Sequence, residues 1–292
     1  YAGNILSVTG EYFGVEKTIE KEFEVFKKSG TSGGSGSGDS GLKMFIVGNN
    51  GNDIIQYTLA TAWDVSSASF VDSFSIASED GMPSGVAFSK SGKKMFMVGN
   101  DNDSVFEYTL ATAWDVSSAS FVDSFSVASE ESSPSDIAFS KSGEKMFIVG
   151  NDGDDVNEYT LAIAWDVSSA SFVDSFSVAG QDEFPTGVAF SKSGLKMFIS
   201  GNDNDSVFEY TLTTAWDVSS ASFVDSFSVA TQDTNPTGIA FSKSGEKMFI
   251  AGNDKDRVNE YTLSTAWDVS SASFDSFRWV GGHDSSTNGM FL

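Results

Sequence analysis

Carboxylates recur in this sequence at a spacing that could do chemistry. They crowd short polar turns: Asp101 and Asp103, Asp152 and Asp154, Asp203 and Asp205, Asp254 and Asp256. Oxygen-rich turns of this kind suit Ca2+, a hard cation that takes several oxygen ligands. None has the long loop and distal Glu of an EF-hand, and Asn and Asp also make tight turns on their own account. Turn chemistry and a cation site therefore stand as two readings. The single histidine, His283, lies beside Asp284. A Ser–His–Asp triad needs an oriented nucleophile and an oxyanion hole, and no Gly-x-Ser-x-Gly elbow in a strand–turn–helix setting offers one. The run Gly33-Gly34-Ser35-Gly36-Ser37-Gly38 is not followed by Lys-Ser/Thr, so it is not a phosphate loop. The expectation is a protein that is not an enzyme. Tryptophan recurs too, at Trp63, Trp114, Trp165, Trp216 and Trp267. Indole faces can stack on sugar rings, or they can fill the gaps between neighbouring sheets.

Composition narrows the classes. The 292 residues carry 17 Lys+Arg against 41 Asp+Glu, a formal net charge of −24. Such a surface repels phosphates, so no nucleic acid and no anionic lipid is expected as partner. The absence of Cys removes disulfides, thiolate metal sites and cysteine nucleophiles. Hydrophobic residues make up 40% of the chain and aromatic ones 13%, too many for a disordered acidic polymer. No stretch is apolar for 18 residues, so no membrane insertion is expected. A start at Tyr1, without Met, suggests a processed or trimmed terminus.

The elements that must position these residues follow from a repeat. Ala-Trp-Asp-Val-Ser-Ser-Ala-Ser-Phe occurs five times at intervals of 51 residues, and Pro83, Pro134, Pro185 and Pro236 keep the same interval. Each unit reads as four short strands separated by Gly, Asn, Asp and Ser turns, with no sustained helical period. Four strands in about 50 residues make a propeller blade. The unit that begins at Gly41 lacks its inner strand, and residues 288–292 resemble the strand it lacks. Pairing the two closes the ring and removes two open edges. The expected fold is all-β: a five-bladed β-propeller of four-stranded antiparallel blades over residues 41–292. A Gly/Ser linker at 30–40 and an N-terminal arm at 1–29, strand or short helix, precede it.

The stretch Phe88-Ser-Lys-Ser-Gly-Lys-Lys-Met-Phe-Met-Val-Gly-Asn-Asp-Asn-Asp-Ser-Val105 resembles the YVTN-type, lactonase-like propeller repeat. The Tyr-Thr-Leu-x-Thr-Ala-Trp-Asp-Val-Ser-Ser extension is similar to repeat propellers of marine bacterial and phage surface proteins. The resemblance implies the fold. It says little of activity, since propellers host many functions, and near-identical units without a marked set of catalytic acids and His depart from the enzymatic members.

Strand order sorts the loops into two faces. One collects the turns with Asp101 to Asp256 and the variable loops around Glu79, Glu130, Asp182, Asp233 and Asp284; the other collects Lys90, Lys141, Lys192 and Lys243. Phe121, Phe125 and their equivalents are expected between blades. The expected role is a non-catalytic, extracellular structural or adhesive module on a cell or virion surface. It would self-associate, as in a filament, or meet a surface glycan or protein, with no cofactor unless the acidic face takes Ca2+. The alternatives are a Ca2+- or glycan-binding module and a lactonase-like hydrolase.

Overall fold

The computed structural model describes residues 11–12, 15–16 and 40–292. Two units separate, Tyr1–Ser35 and Gly36–Leu292. In the first, Glu11–Tyr12 and Val15–Glu16 pair as a short antiparallel ladder. The expectations for residues 18–28 and for the linker at 30–39 lie outside the described residues.

The second unit holds five four-stranded antiparallel sheets. The second blade is typical: Pro83–Phe88 innermost, then Lys94–Gly99, Ser104–Leu110 and Ala119–Ser126 at the rim. The first blade takes its inner strand from Thr287–Phe291, which pairs Met290 with Ile46 and Phe291 with Phe45 beside Lys43–Gly48. The ring is closed by the strand that the repeat shows to be missing. Each inner strand starts at its proline, or at Thr287 in the closing strand, slightly earlier than the pattern suggests, because a bulge follows that first position. Proline is tolerated there since it needs no ladder donor at a strand's first residue.

The core lies between blades rather than within them. Phe45 and Val47 of the first blade cluster with Met95, Met97 and Tyr108 of the second, and the other four seams repeat the arrangement. Tyr57, Tyr108, Tyr159, Tyr210 and Tyr261 are fully buried. Because the third strand has a blade on both sides, all of Ser104–Leu110 except Thr109 is buried, where alternation predicts one wet face. The outer strand departs in the other direction. A bulge pairs Asp123 with Glu107 but Phe121 with Tyr108, leaving Val122 unmatched. Phe121 and Val122 are each 49% exposed, so the placing of Phe121 between blades is corrected. Phe125 does bridge blades, edge-on to Tyr159 at 5.8 Å.

Short 3-10 turns such as Val116–Ser118 join third to outer strands, each entered from an Asp; Asp115 accepts from the Ser117 amide. Serine and aspartate favour this local bonding over continued strand, a feature the strand pattern alone does not disclose.

Candidate functional site

The acidic face is built around five buried carboxylates: Asp80, Glu131, Asp182, Asp233 and Asp284, each at most 4% exposed. All sit in the loops that lead into inner strands. Asp182 accepts from the amides of Phe184 at 2.9 Å, Asp203 at 3.2 Å and Asn204 at 2.9 Å. It thereby ties its own loop to the neighbouring turn. A Cβ on Gly201 would lie 2.2 Å from the Asp182 carboxyl carbon, so only glycine leaves room for the latch. Burial raises the pKa of Glu131, Asp182 and Asp233, and the donated amides oppose the shift.

The residues expected to form a site are distributed over this scaffold. Asp101, Asp152, Asp203 and Asp254 are exposed turn tips, all four giving their amides to the latch carboxylates. Asp103, Asp154, Asp205 and Asp256 hold left-handed backbone, φ 43–49°, and their carbonyls accept from the amides of Val127, Val178, Val229 and Val280. Burial and neighbouring carboxylates raise the pKa of Asp103, Asp205 and Asp256. Among the described residues no group of three or more His, Cys, Asp or Glu gathers as a metal would require. The His283 and Asp284 side chains point to different work. The imidazole stacks on Phe70 at 4.1 Å and 9°, while Asp284 accepts from the amides of Asn50, Gly51 and Ser286.

The opposite face holds a recess on the ring axis, a well of about 310 Å³. Its wall is aromatic: the five tryptophans, with Phe88, Phe139, Phe190, Phe241 and Phe291 from the inner strands. Each indole reaches the wall by an unusual route. Trp165 takes φ 64°, which is rare for a bulky residue and costs roughly 1–3 kcal/mol. That reversal lays the ring over Gly143 and between Phe96 of the second blade and Phe139 of its own, at 6.1 and 5.2 Å. The rings pack between sheets, and in four of the five part of the ring also faces the well. Trp114 is buried, because Phe291 of the closing strand stacks on it at 6.1 Å.

The turned tryptophan also exposes its carbonyl to a latch across the seam. Lys94 pairs with Glu107 at 2.6 Å and donates to the Trp165 carbonyl at 2.6 Å, while Glu107 accepts from the Val167 amide at 3.1 Å. Two further seams repeat this, with Lys145 and Lys196. At the next, Lys247 pairs with Glu260 and Asp275 while Glu260 accepts from the Val65 amide, and the first seam has Gln56 in place of glutamate, accepting from Val116 at 3.0 Å. There burial lowers the pKa of Lys43. Sequence reasoning missed this latch, although the recurrence of Glu107, Glu158, Glu209 and Glu260 with the tryptophans was a signal for it.

At the narrow end of the well one residue breaks the fivefold pattern. Gly85, Gly187, Gly238 and Gly289 pack backbone to backbone around the axis, but the third blade has Asp136. Its carboxyl accepts from Ile137 at 2.8 Å and from Val188 of the next blade at 3.0 Å. Burial pushes its pKa up to about 8. Above it, Lys90, Lys141, Lys192 and Lys243 collar the mouth and are exposed.

No family model matches this chain, and no curated protein does. Solved structures match in fold. A chain from a nidogen–laminin complex aligns with a TM-score of 0.53 at 12% identity, covering 85% of this chain and 96% of that one. A candidate 6-phosphogluconolactonase from Bacteroides uniformis ATCC 8492 gives 0.50 at 11%, covering 83% and 71%. The periplasmic gluconolactonase PpgL of Pseudomonas aeruginosa gives 0.46 at 16%, covering 82% and 66%. At these identities the likeness is one of fold: with lactonase-like propellers among its structural neighbours, the chain is a five-bladed β-propeller.

Proposed function

We propose that this propeller is a non-catalytic structural or adhesive module, working on a cell or virion surface and associating with further copies of itself. The observation that carries the reading is the apolar rim. Phe121–Val122, Phe172–Val173 and Phe223–Val224 are each 43–49% exposed on outer strands. Among the described residues those strands have a partner on one side only. Long apolar edges of this kind are association surfaces. The chemistry of the acidic face agrees, since its buried carboxylates accept main-chain amides. Sedimentation velocity over a range of concentrations tests the reading. Association that weakens when Phe121, Phe172 and Phe223 are changed to Lys is expected, and deletion of residues 1–38 separates any contribution of the arm. Hydrolysis of gluconolactone above the buffer rate would overturn it in favour of the lactonase alternative.

A second reading, Ca2+ binding at the acidic turns, has one specific observation in its favour. One oxygen each of Asp103, Asp154 and Asp256 is buried without a hydrogen-bond partner. At the matching place in the first blade, Asn52 donates its amide to the carbonyls of Asn49 and Gly81. A cation there would draw on main-chain oxygens as well as carboxylates. A rise in melting temperature with millimolar Ca2+, reversed by chelator, is the expected sign; an unchanged melt removes this reading.

A further inference from the structure

The two ends of the ring axis are complementary to each other. On the lysine face lies the aromatic well of about 310 Å³, in the size range that accepts a ligand or an inserted side chain. Lys90, Lys141 and Lys192 stand at its mouth, exposed and without a hydrogen bond or ion pair among the described residues. On the acidic face the loops entering the inner strands end beside the same axis. Phe184 directly precedes Pro185, the first residue of the inner strand Pro185–Phe190, and Phe190 at that strand's other end lines the well. Phe184 is 51% exposed although its main chain is held on both sides, its amide by Asp182 and its carbonyl by the Asn202 amide. Met82, in the matching loop of the second blade, is 44% exposed. Exposed carboxylates, Glu183 and Asp203 among them, surround these apolar tips.

We propose that the propeller stacks head to tail on a second copy of itself, Phe184 and Met82 entering the lysine-collared well and the surrounding carboxylates meeting Lys90, Lys141 and Lys192. This deepens the self-associating reading above and rests on it. A projecting apolar patch and a matching recess on different surfaces of one molecule make a heterologous contact, which continues into a filament unless it closes. The net charge of −24 opposes approach at long range. At about 0.15 M salt the screening length is roughly 8 Å, so the opposite charges at the contact decide the outcome. Desolvated aromatic side chains in a central recess are the anchors such contacts depend on.

The test uses two variants of the full chain. One loses the projecting end (Phe184→Asp with Met82→Asp); the other loses the collar (Lys141→Glu with Lys192→Glu). All four residues are exposed on the surface, and circular dichroism is used to check that each variant keeps the wild-type fold; Phe184→Ala replaces the first should it fail. In sedimentation velocity the wild type is expected to form a ladder of species, and each variant alone to associate at least about tenfold more weakly. Mixed in equal amounts, the variants are expected to stop at a one-to-one dimer, since each keeps one working end. A wild type that assembles while both variants assemble equally well overturns stacking and leaves the structural reading intact. A wild type that stays monomeric throughout removes both.

Discussion

The two faces of this ring carry the same fivefold repetition and put it to opposite uses. On the acidic face the repeated groups are buried carboxylates such as Asp182, held by main-chain amides. On the lysine face they are aromatic rings, most of them partly exposed, around a recess under a collar of lysines. The face whose residues look most like a ligand site in sequence is the one whose buried charges serve the fold. The face that looks bland is the one with room for a partner. Repetition of a charged residue is therefore weak grounds for a site unless its oxygens have nothing else to bind.

The contrast can be broken most strongly at Asp136, the single departure from fivefold symmetry at the well's floor. With a pKa of about 8 against an ordinary 3.8, the folded protein holds this proton and the unfolded chain gives it up. The contribution of Asp136 to stability is thus fully present below about pH 4 and is lost as pH rises towards 8. That contribution amounts to as much as about 6 kcal/mol. Asp136→Gly, which copies the other four blades, should remove that part of the pH dependence. Urea unfolding at pH 5 and pH 9 compares the two; equal slopes with pH would contradict the burial argument.

Next in size is the seam beneath the lysine face. Glu158→Ala leaves Lys145 without its partner and the Val218 amide without its acceptor, and should cost about 3–5 kcal/mol in denaturant unfolding. Glu158→Gln reproduces the first seam, where Gln56 still accepts from Val116, and should cost clearly less. Equal losses for the two would mean that the charge, rather than the hydrogen bond, joins the blades.

On the acidic face Asp182→Ala removes an acceptor shared by three amides and should cost about 2–3 kcal/mol. The smallest effect belongs to His283. Its ring stacks on Phe70, whose surface is already 43% exposed, so His283→Ala should cost no more than about 1 kcal/mol. A large loss there, by thermal melting, would point to a role that the stacking does not explain.

Much of this architecture is legible in the sequence. The interval of 51 residues discloses the blades, and the likeness of residues 288–292 to the other inner strands discloses how the ring closes. What is not legible is backbone conformation and burial. Period reports that Trp165 recurs, not that it turns to φ 64° and exposes its carbonyl to Lys94. Likewise Asp182 reads as a surface loop residue, because a buried carboxylate and a solvated one are the same letter. The glycine at 201, which leaves room for it, was the available clue. Phe121 was misplaced because one bulge undoes the alternation on which the placement rested.

The most direct test of the claim that the acidic face's buried carboxylates hold the fold while the exposed collar lysines of the other face do not is a paired calorimetric melt of Asp182→Asn and Lys192→Glu. The account predicts a melting temperature lowered by several degrees for the first and unchanged for the second. An unchanged melt for Asp182→Asn, with a lowered one for Lys192→Glu, would contradict it.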